Sequence, residues 1–136
     1  MIKQLTVFLE NKAGSLVDLT QTLLDENINI ISFTIAETES YGLLRMVVTE
    51  PEKAEEILRG KAYTLSLTEV IGVEIPDRPG SLNKLLRDLK DFQIDYFYMF
   101  SNRKDISGVI LRIEEEEKAE DHIRFLGYKL IETYKI

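Results

Sequence analysis

The sequence predicts an α+β chain of two ferredoxin-like βαββαβ units in tandem, each an antiparallel sheet with its helices on one face. Three observations predict it. The chain matches itself at a nearly constant offset, strand and helix patterns recur in the same order in both halves, and each half alone is short for a self-sufficient core. Glu10-Asn11-Lys12-Ala13-Gly14-Ser15-Leu16 falls on Pro76-Asp77-Arg78-Pro79-Gly80-Ser81-Leu82, an offset of 66. The same offset sets Leu19 on Leu85, Leu23 on Leu89, Ile28 on Ile94 and Gly42 on Gly108. Lys53-Ala54-Glu55 then meets Lys118-Ala119-Glu120 at 65, as Tyr63-Thr64-Leu65 meets Tyr128-Lys129-Leu130. One residue is therefore gained or lost between Gly42 and Lys53. The repeats are expected at 1–70 and 71–136.

The elements follow in chain order. Leu5, Val7 and Leu9 alternate as a half-buried strand does, and Ile71, Val73 and Ile75 repeat the pattern. A Gly-Ser step opens a helix with Leu16, Leu19 and Leu23 on one face, and its copy carries Leu82, Leu85, Leu86 and Leu89. Two strands come next, around Ile28–Glu37 and Gly42–Thr49, with counterparts around Ile94–Ser101 and Ser107–Ile113. The second helix opens at Pro51, whose missing N–H would be unpaired in a first turn anyway. Glu114 to Glu117 occupy that start in the second half, a solvated run that complements the helix dipole. Gly60 and Gly127 are expected to stop these helices. Final strands at Tyr63–Val70 and Tyr128–Tyr134 complete the pattern, with little left for a linker.

Right-handed crossovers put both helices of such a unit on one sheet face and leave the other open. The run Ile94-Asp95-Tyr96-Phe97-Tyr98-Met99-Phe100 is apolar on both faces, where a one-sided sheet would alternate with polar residues. A cover is therefore expected, from the other repeat or from a second chain. The halves are expected to dock rather than swing, and the chain to form a homodimer through sheet or edge contacts.

Composition removes several functions. The chain of 136 residues holds 17 basic and 24 acidic side chains, a net charge of −7, which argues against a nucleic-acid partner. It has no cysteine, so no disulfide, thiol nucleophile or thiolate metal site. One histidine, His122, cannot supply a His-rich metal centre or a Ser-His-Asp triad. No run approaches the roughly 20 apolar residues that cross a bilayer. The first residues lack a signal-peptide pattern, so the expected location is cytoplasmic. No metal and no cofactor is expected.

The turn Asn11-Lys12-Ala13-Gly14-Ser15-Leu16 and its copy Asp77-Arg78-Pro79-Gly80-Ser81-Leu82 resemble the turn between the first strand and first helix of ACT domains. The resemblance extends to the second-strand entries Asn27-Ile28-Asn29-Ile30 and Gln93-Ile94-Asp95-Tyr96. It implies a free-standing tandem ACT protein without an enzymatic domain, an amino-acid sensor whose sites form at interfaces between units. In the serine-binding ACT domain of phosphoglycerate dehydrogenase, an asparagine in the turn and another opening the second strand contact the ligand. Those positions match Asn11 and Asn29 in the first half, and Asp77 and Asp95 in the second. The two carboxylates depart from the family pair.

The chemistry of these residues points the same way. The N–H groups of Gly14, Ser15 and Leu16 open a helix, where unpaired donors and the dipole favour a carboxylate. Gly14 lets a ligand approach the backbone closely. Asn11 and Asn29 can accept from an ammonium or donate to a carboxylate, whereas ionised Asp77 and Asp95 only accept. Asx turns and serine caps at Ser15 and Ser81 explain the same residues without a ligand. Glu37, Arg45, Asn102 and Arg112 could finish an interface pocket but are expected to face solvent, and His122 reads as an ordinary helix-face residue. The expected function is a regulatory protein that binds an amino acid or similar small zwitterion. A ligand-free assembly module is the alternative, and a small carboxylate-using enzyme a weaker third, since no nucleophile, metal set or cofactor loop is visible.

Overall fold

The computed structural model describes residues 1–38 and 40–132. Its elements are β1 (Ile2–Glu10), α1 (Ser15–Asp25), β2 (Ile30–Glu37), β3 (Tyr41–Val48), α2 (Pro51–Gly60), β4 (Thr64–Pro76), α3 (Ser81–Asp88), β5 (Ile94–Arg103), β6 (Ile106–Ile113), α4 (Glu116–Phe125) and β7 (Lys129–Leu130). Two compact units emerge. The first is built from Lys3–Thr68, the second from Met1–Ile2 and the described residues from Glu69 onward.

In the first unit the strand order is β2-β3-β1-β4. β3 runs antiparallel to both its neighbours, with Leu5 opposite Met46 and Phe33 opposite Met46 on its other side. Strand periodicity sends Leu5, Val7, Leu9, Leu44, Met46 and Val48 to one face, where they meet Leu19 and Leu23 of α1 and Ala54 and Leu58 of α2. These helix residues are fully buried. Both helices therefore cover the same sheet face.

The second unit repeats the design in the order β5-β6-β4-β7. Ile71, Val73, Ile75, Val109, Leu111 and Ile113 face Leu85, Leu89, Ala119 and Ile123. The strands expected at 63–70 and 71–75 are one uninterrupted 13-residue strand, β4. β7 is only two residues long, and the expected strand residues Thr133 and Tyr134 lie outside those described.

Local chemistry explains most boundaries. Gly14 and Gly80 precede their helices with φ of 89° and 93°, a left-handed conformation that a Cβ disfavours. α1 closes when the Ile28 N–H returns to the Leu23 carbonyl at 2.9 Å, with Asn27 left-handed. Gly127 ends α4 as expected, with φ of 90°. Gly60 does not play that part. It lies in the last turn of α2, and Ala62 takes the left-handed position at φ 68°.

The strand register revises the internal alignment. Ile30 and Ile94 open β2 and β5 and pair with Val48 and Ile113. The Thr49 N–H donates to the Asn29 carbonyl, and the Glu114 N–H donates to the Gln93 carbonyl. Asn29 therefore matches Gln93, not Asp95, and the partner of Ile28 is Phe92 rather than Ile94. The cause is the shorter helix α3, 8 residues against 11 in α1: Phe92 returns to the Leu89 carbonyl three residues back, where Ile28 returns to the Leu23 carbonyl five residues back. Leu44 and Val109 are likewise equivalent core positions, so Gly42 matches Ser107, not Gly108. The length change expected between Gly42 and Lys53 instead falls before β3.

The doubly apolar strand β5 is covered unequally. Tyr98, on the face away from the helices, is 7% exposed, but Phe97 and Met99, opposite Leu111 and Val109, stay about two-fifths exposed.

Candidate ligand site at the first strand–helix turn

The first unit carries a cavity of about 440 Å³ on the turn between β1 and α1. The whole segment from Asn11 to Leu16 lines it, together with Leu9, Glu10, Val17, Ile35, Glu37 and Gly42. Three elements make it. β1 ends at Glu10, the turn reverses into α1, and the end of β2 is carried alongside by β3, which pairs Gly42 with both Leu9 and Glu37.

The turn is held by its own backbone. Lys12 N–H donates to the Glu10 carbonyl at 2.9 Å, and the Ser15 hydroxyl donates to the same carbonyl at 2.9 Å. Ser15 is thus neither a helix cap nor a free ligand group: Gly14 occupies the N-cap position without a side-chain cap. The Ser15 N–H also points back, to the Lys12 carbonyl at 3.4 Å. What remains for a ligand are the donors of the first turn of α1 beyond it, which have no intrahelical acceptor. A Cβ built on Gly14 would meet nothing within 4 Å, so the approach to the turn is open.

Charge is arranged in two pieces. Glu10 and Lys12 form an exposed ion pair at 3.1 Å, so neither presents a lone charge. Glu37 makes no hydrogen bond or ion pair among the described residues and places a carboxylate in the cavity wall. The apolar wall is Leu16, Val17 and Ile35, which are 42%, 67% and 44% exposed. An exposed apolar wall, one free carboxylate and unpaired amide donors are complementary to a zwitterion with an apolar group.

The other candidate residues are placed as follows. Asn11 is exposed on the cavity rim. Asn29 is not with it: its N–H donates to Thr49 Oγ1 at 3.0 Å at the opposite end of β2, on the order of 20 Å away by strand rise. In the second unit the Asp77 N–H donates to the Asp105 carbonyl at 2.8 Å, which ties the turn Asp77–Leu82 to the β5–β6 hairpin. Arg78, Pro79 and Gly80 are exposed, Ser81 and Leu82 half-buried. Asp95, exposed, lies at the far end of β5, as Asn29 does on β2.

Of the lesser candidates, Asn102 donates to Glu74 Oε1 at 2.8 Å and Arg112 to Glu116 at 2.7 Å. His122 Nε2 lies 3.0 Å from the Asp88 carbonyl, its ring 5.5 Å from that of Phe92. Glu37 is exposed, as expected, and is also the one of these that lines the cavity. Sequence reasoning missed Val17, Ile35 and Gly42. Only the hairpin register that sets Glu37 opposite Gly42 could have signalled them.

Among the described residues no group of three or more His, Asp or Glu side chains is arranged to hold a metal. No helix among them is long and apolar enough to cross a membrane.

Comparison with known proteins adds the family. A family model described as an ACT domain pair matches residues 1–134. The chain is similar to the crystal structure of protein BT0572 from Bacteroides thetaiotaomicron, with 34% identity over 96% of this chain and 91% of that one, and a TM-score of 0.90. The regulatory subunit of aspartate kinase from Thermus thermophilus, in a ligand-free form, shares the fold at 16% identity, 90% coverage of both chains and a TM-score of 0.66. The same subunit from Thermus flavus follows at 13% identity, 90% of both chains and 0.62. No curated protein matches the chain.

Proposed function

The chain belongs to the ACT domain pair family, and on that premise we propose that it is a regulatory amino-acid-binding protein rather than an enzyme, with its principal site at the first strand–helix turn. The observation that carries this reading is the cavity between the Asn11–Leu16 turn and the end of β2. The ligand carboxylate takes the free amide donors at the start of α1, where the helix dipole also favours it. The ammonium takes Glu37, with Asn11 beside it. Aspartate kinase regulatory subunits share the fold, which is in keeping with a regulatory role.

Asn29 belongs to this site only if a second copy supplies it. β2 is an edge strand, with one side of its backbone unpaired. Antiparallel pairing of two β2 edges about a two-fold axis brings the Asn29 end of one copy to the Glu37 end of the other. Light scattering at micromolar concentration is expected to report a dimer, and a monomer across that range would remove Asn29 from the site. Asp77 and Asp95 remain acceptors suited to an ammonium or a cationic side chain, without a part in the first site.

The test is thermal. A ligand bound only to the native state at a hundredfold excess over Kd adds about 2.7 kcal/mol, a rise in melting temperature on the order of 10 °C for a chain of this size. At least one amino acid at millimolar concentration is expected to produce it, and the matching α-keto acid, which has no ammonium for Glu37, is not. If no amino acid moves the melt of the folded protein, an assembly module is the better reading. The exposed apolar residues Val17, Leu24 and Phe33 favour that second reading.

A further inference from the structure

The turn cavity shares its α1 side with a second hollow. Leu16 and Val17 line both, and the second, of about 210 Å³, lies between α1 and the edge strand β2. That groove is walled by Ile30, Phe33, Leu44 and Met46, with Thr20 from the next turn of α1. Phe33 is 60% exposed, although its partner across the sheet, Met46, is fully buried. The turn cavity, with the unpaired Glu37 in its lining, thus shares two aliphatic residues with an apolar groove of side-chain size.

We propose that the ligand is an amino acid with a large apolar side chain, of the leucine, isoleucine, methionine or phenylalanine kind, whose backbone sits at the turn and whose side chain lies in the α1–β2 groove. This rests on the amino-acid reading of the turn and adds the specificity. Serine and glycine leave the groove unfilled, and acidic side chains bring a charge to an apolar wall with nothing to pair it. A lysine side chain spans the groove but places its ammonium against Phe33 and Met46.

The second unit shows what the groove requires. There the register puts Asn83 at the place of Val17, Leu86 at that of Thr20, and Ser101 at that of Glu37. The apolar rim is broken, a larger side chain stands where Thr20 leaves room, and the carboxylate is gone. The second turn therefore lacks the features that make the first a site of this class.

The experiment titrates the full chain with leucine, isoleucine, methionine, phenylalanine, serine, glycine, aspartate and lysine, by calorimetry and by melting temperature. The expected result is at least tenfold tighter binding of one large apolar amino acid than of serine or glycine, since a single methylene in an apolar pocket is worth roughly 10–200-fold. Thr20→Leu is expected to abolish that preference while glycine binding persists. Val17→Asn, at an exposed position, is expected to weaken it without touching the core. Tightest binding of serine, aspartate or lysine overturns the specificity and leaves the amino-acid site standing. Failure of every amino acid to bind overturns both. Unchanged preference in a folded Thr20→Leu or Val17→Asn protein places the side chain elsewhere and overturns the groove.

Discussion

The two strand–helix turns are copies in sequence and differ in what surrounds them. Both reverse through a left-handed glycine, Gly14 or Gly80, and both lead into a helix whose leucines fill the core. At the first turn, the neighbouring β2–β3 hairpin stands beside the turn and leaves a cavity with Glu37 in its wall. At the second, β5 runs on to Arg103, and the Asp105 carbonyl takes the Asp77 N–H. One extra hairpin residue thus lets the second turn bond to its neighbour. Duplication preserves the framework, and hairpin length decides how each turn meets its neighbour.

The largest test of this difference is at Glu37. Glu37→Gln removes the charged acceptor for a ligand ammonium, and a hydrogen bond to a charged group is worth about 1.5–3 kcal/mol. Amino-acid affinity is expected to fall about 10- to 100-fold by calorimetry, while Ser101→Ala at the matching position leaves it unchanged. Equal effects at both positions would mean that the second turn also binds.

A stability test comes next. Gly72 occupies the place of Thr6 in the repeat, yet a Cβ there would collide with the Ile2 side chain and stand 3.0 Å from Ile131 Cβ. Gly72→Val is expected to cost about 1–3 kcal/mol through overpacking, read as a lower urea midpoint. An unchanged midpoint would show that Ile2 moves aside freely.

The smallest effect concerns the helix-side tyrosines. Tyr128 donates to Asp88 Oδ2 at 2.6 Å, and Lys84 donates to both. The matching Tyr63 has Asp18 nearby in place of the lysine. The hydrogen bond from Tyr128, then that from Lys84, holds the Asp88 carboxyl below its ordinary value. Its contribution is therefore present above the ordinary carboxylate value of 3.8 and lost as pH falls through the lower folded value. Burial first, and the Asp88 bond second, raise the Tyr128 phenol, so that contribution is present below 10.0 and lost as pH rises through the higher folded value. The hydrogen bond to Tyr128 raises Lys84 in the same sense. Lys84 is exposed and Asp88 and Tyr128 are only half-buried, so solvent screens the cluster and the effect is small. Tyr128→Phe is expected to flatten the fall in melting temperature at both pH extremes by a degree or so, and Tyr63→Phe to change the acid limb little. Identical pH profiles for wild type and Tyr128→Phe would mean that the cluster contributes nothing.

The fold was legible because it rests on local signals. Alternation at Leu5, Val7 and Leu9 and the leucine stripe at 16, 19 and 23 need only periodicity, and the offset between halves repeats them. The turn was legible for the same reason, since its residues are contiguous. The equivalence of Asn29 with Asp95 was not correct. Because α3 ends early, the path from Leu89 to Ile94 is two residues shorter than its copy from Leu23 to Ile30, and a chance isoleucine at 94 disguises the gap.

By itself, the sequence determined the duplication, the order of elements and the turn on which the site is proposed, because each depends on residues near one another in the chain. Tertiary structure alone decided that Glu37 and Ile35 face that turn, that Asn29 lies at the other end of its strand, and that Leu16 and Val17 join two hollows. The physical reason is register. A strand sends alternate residues to opposite faces, so one inserted or missing residue in a hairpin decides which side chains enter a cavity and which face water.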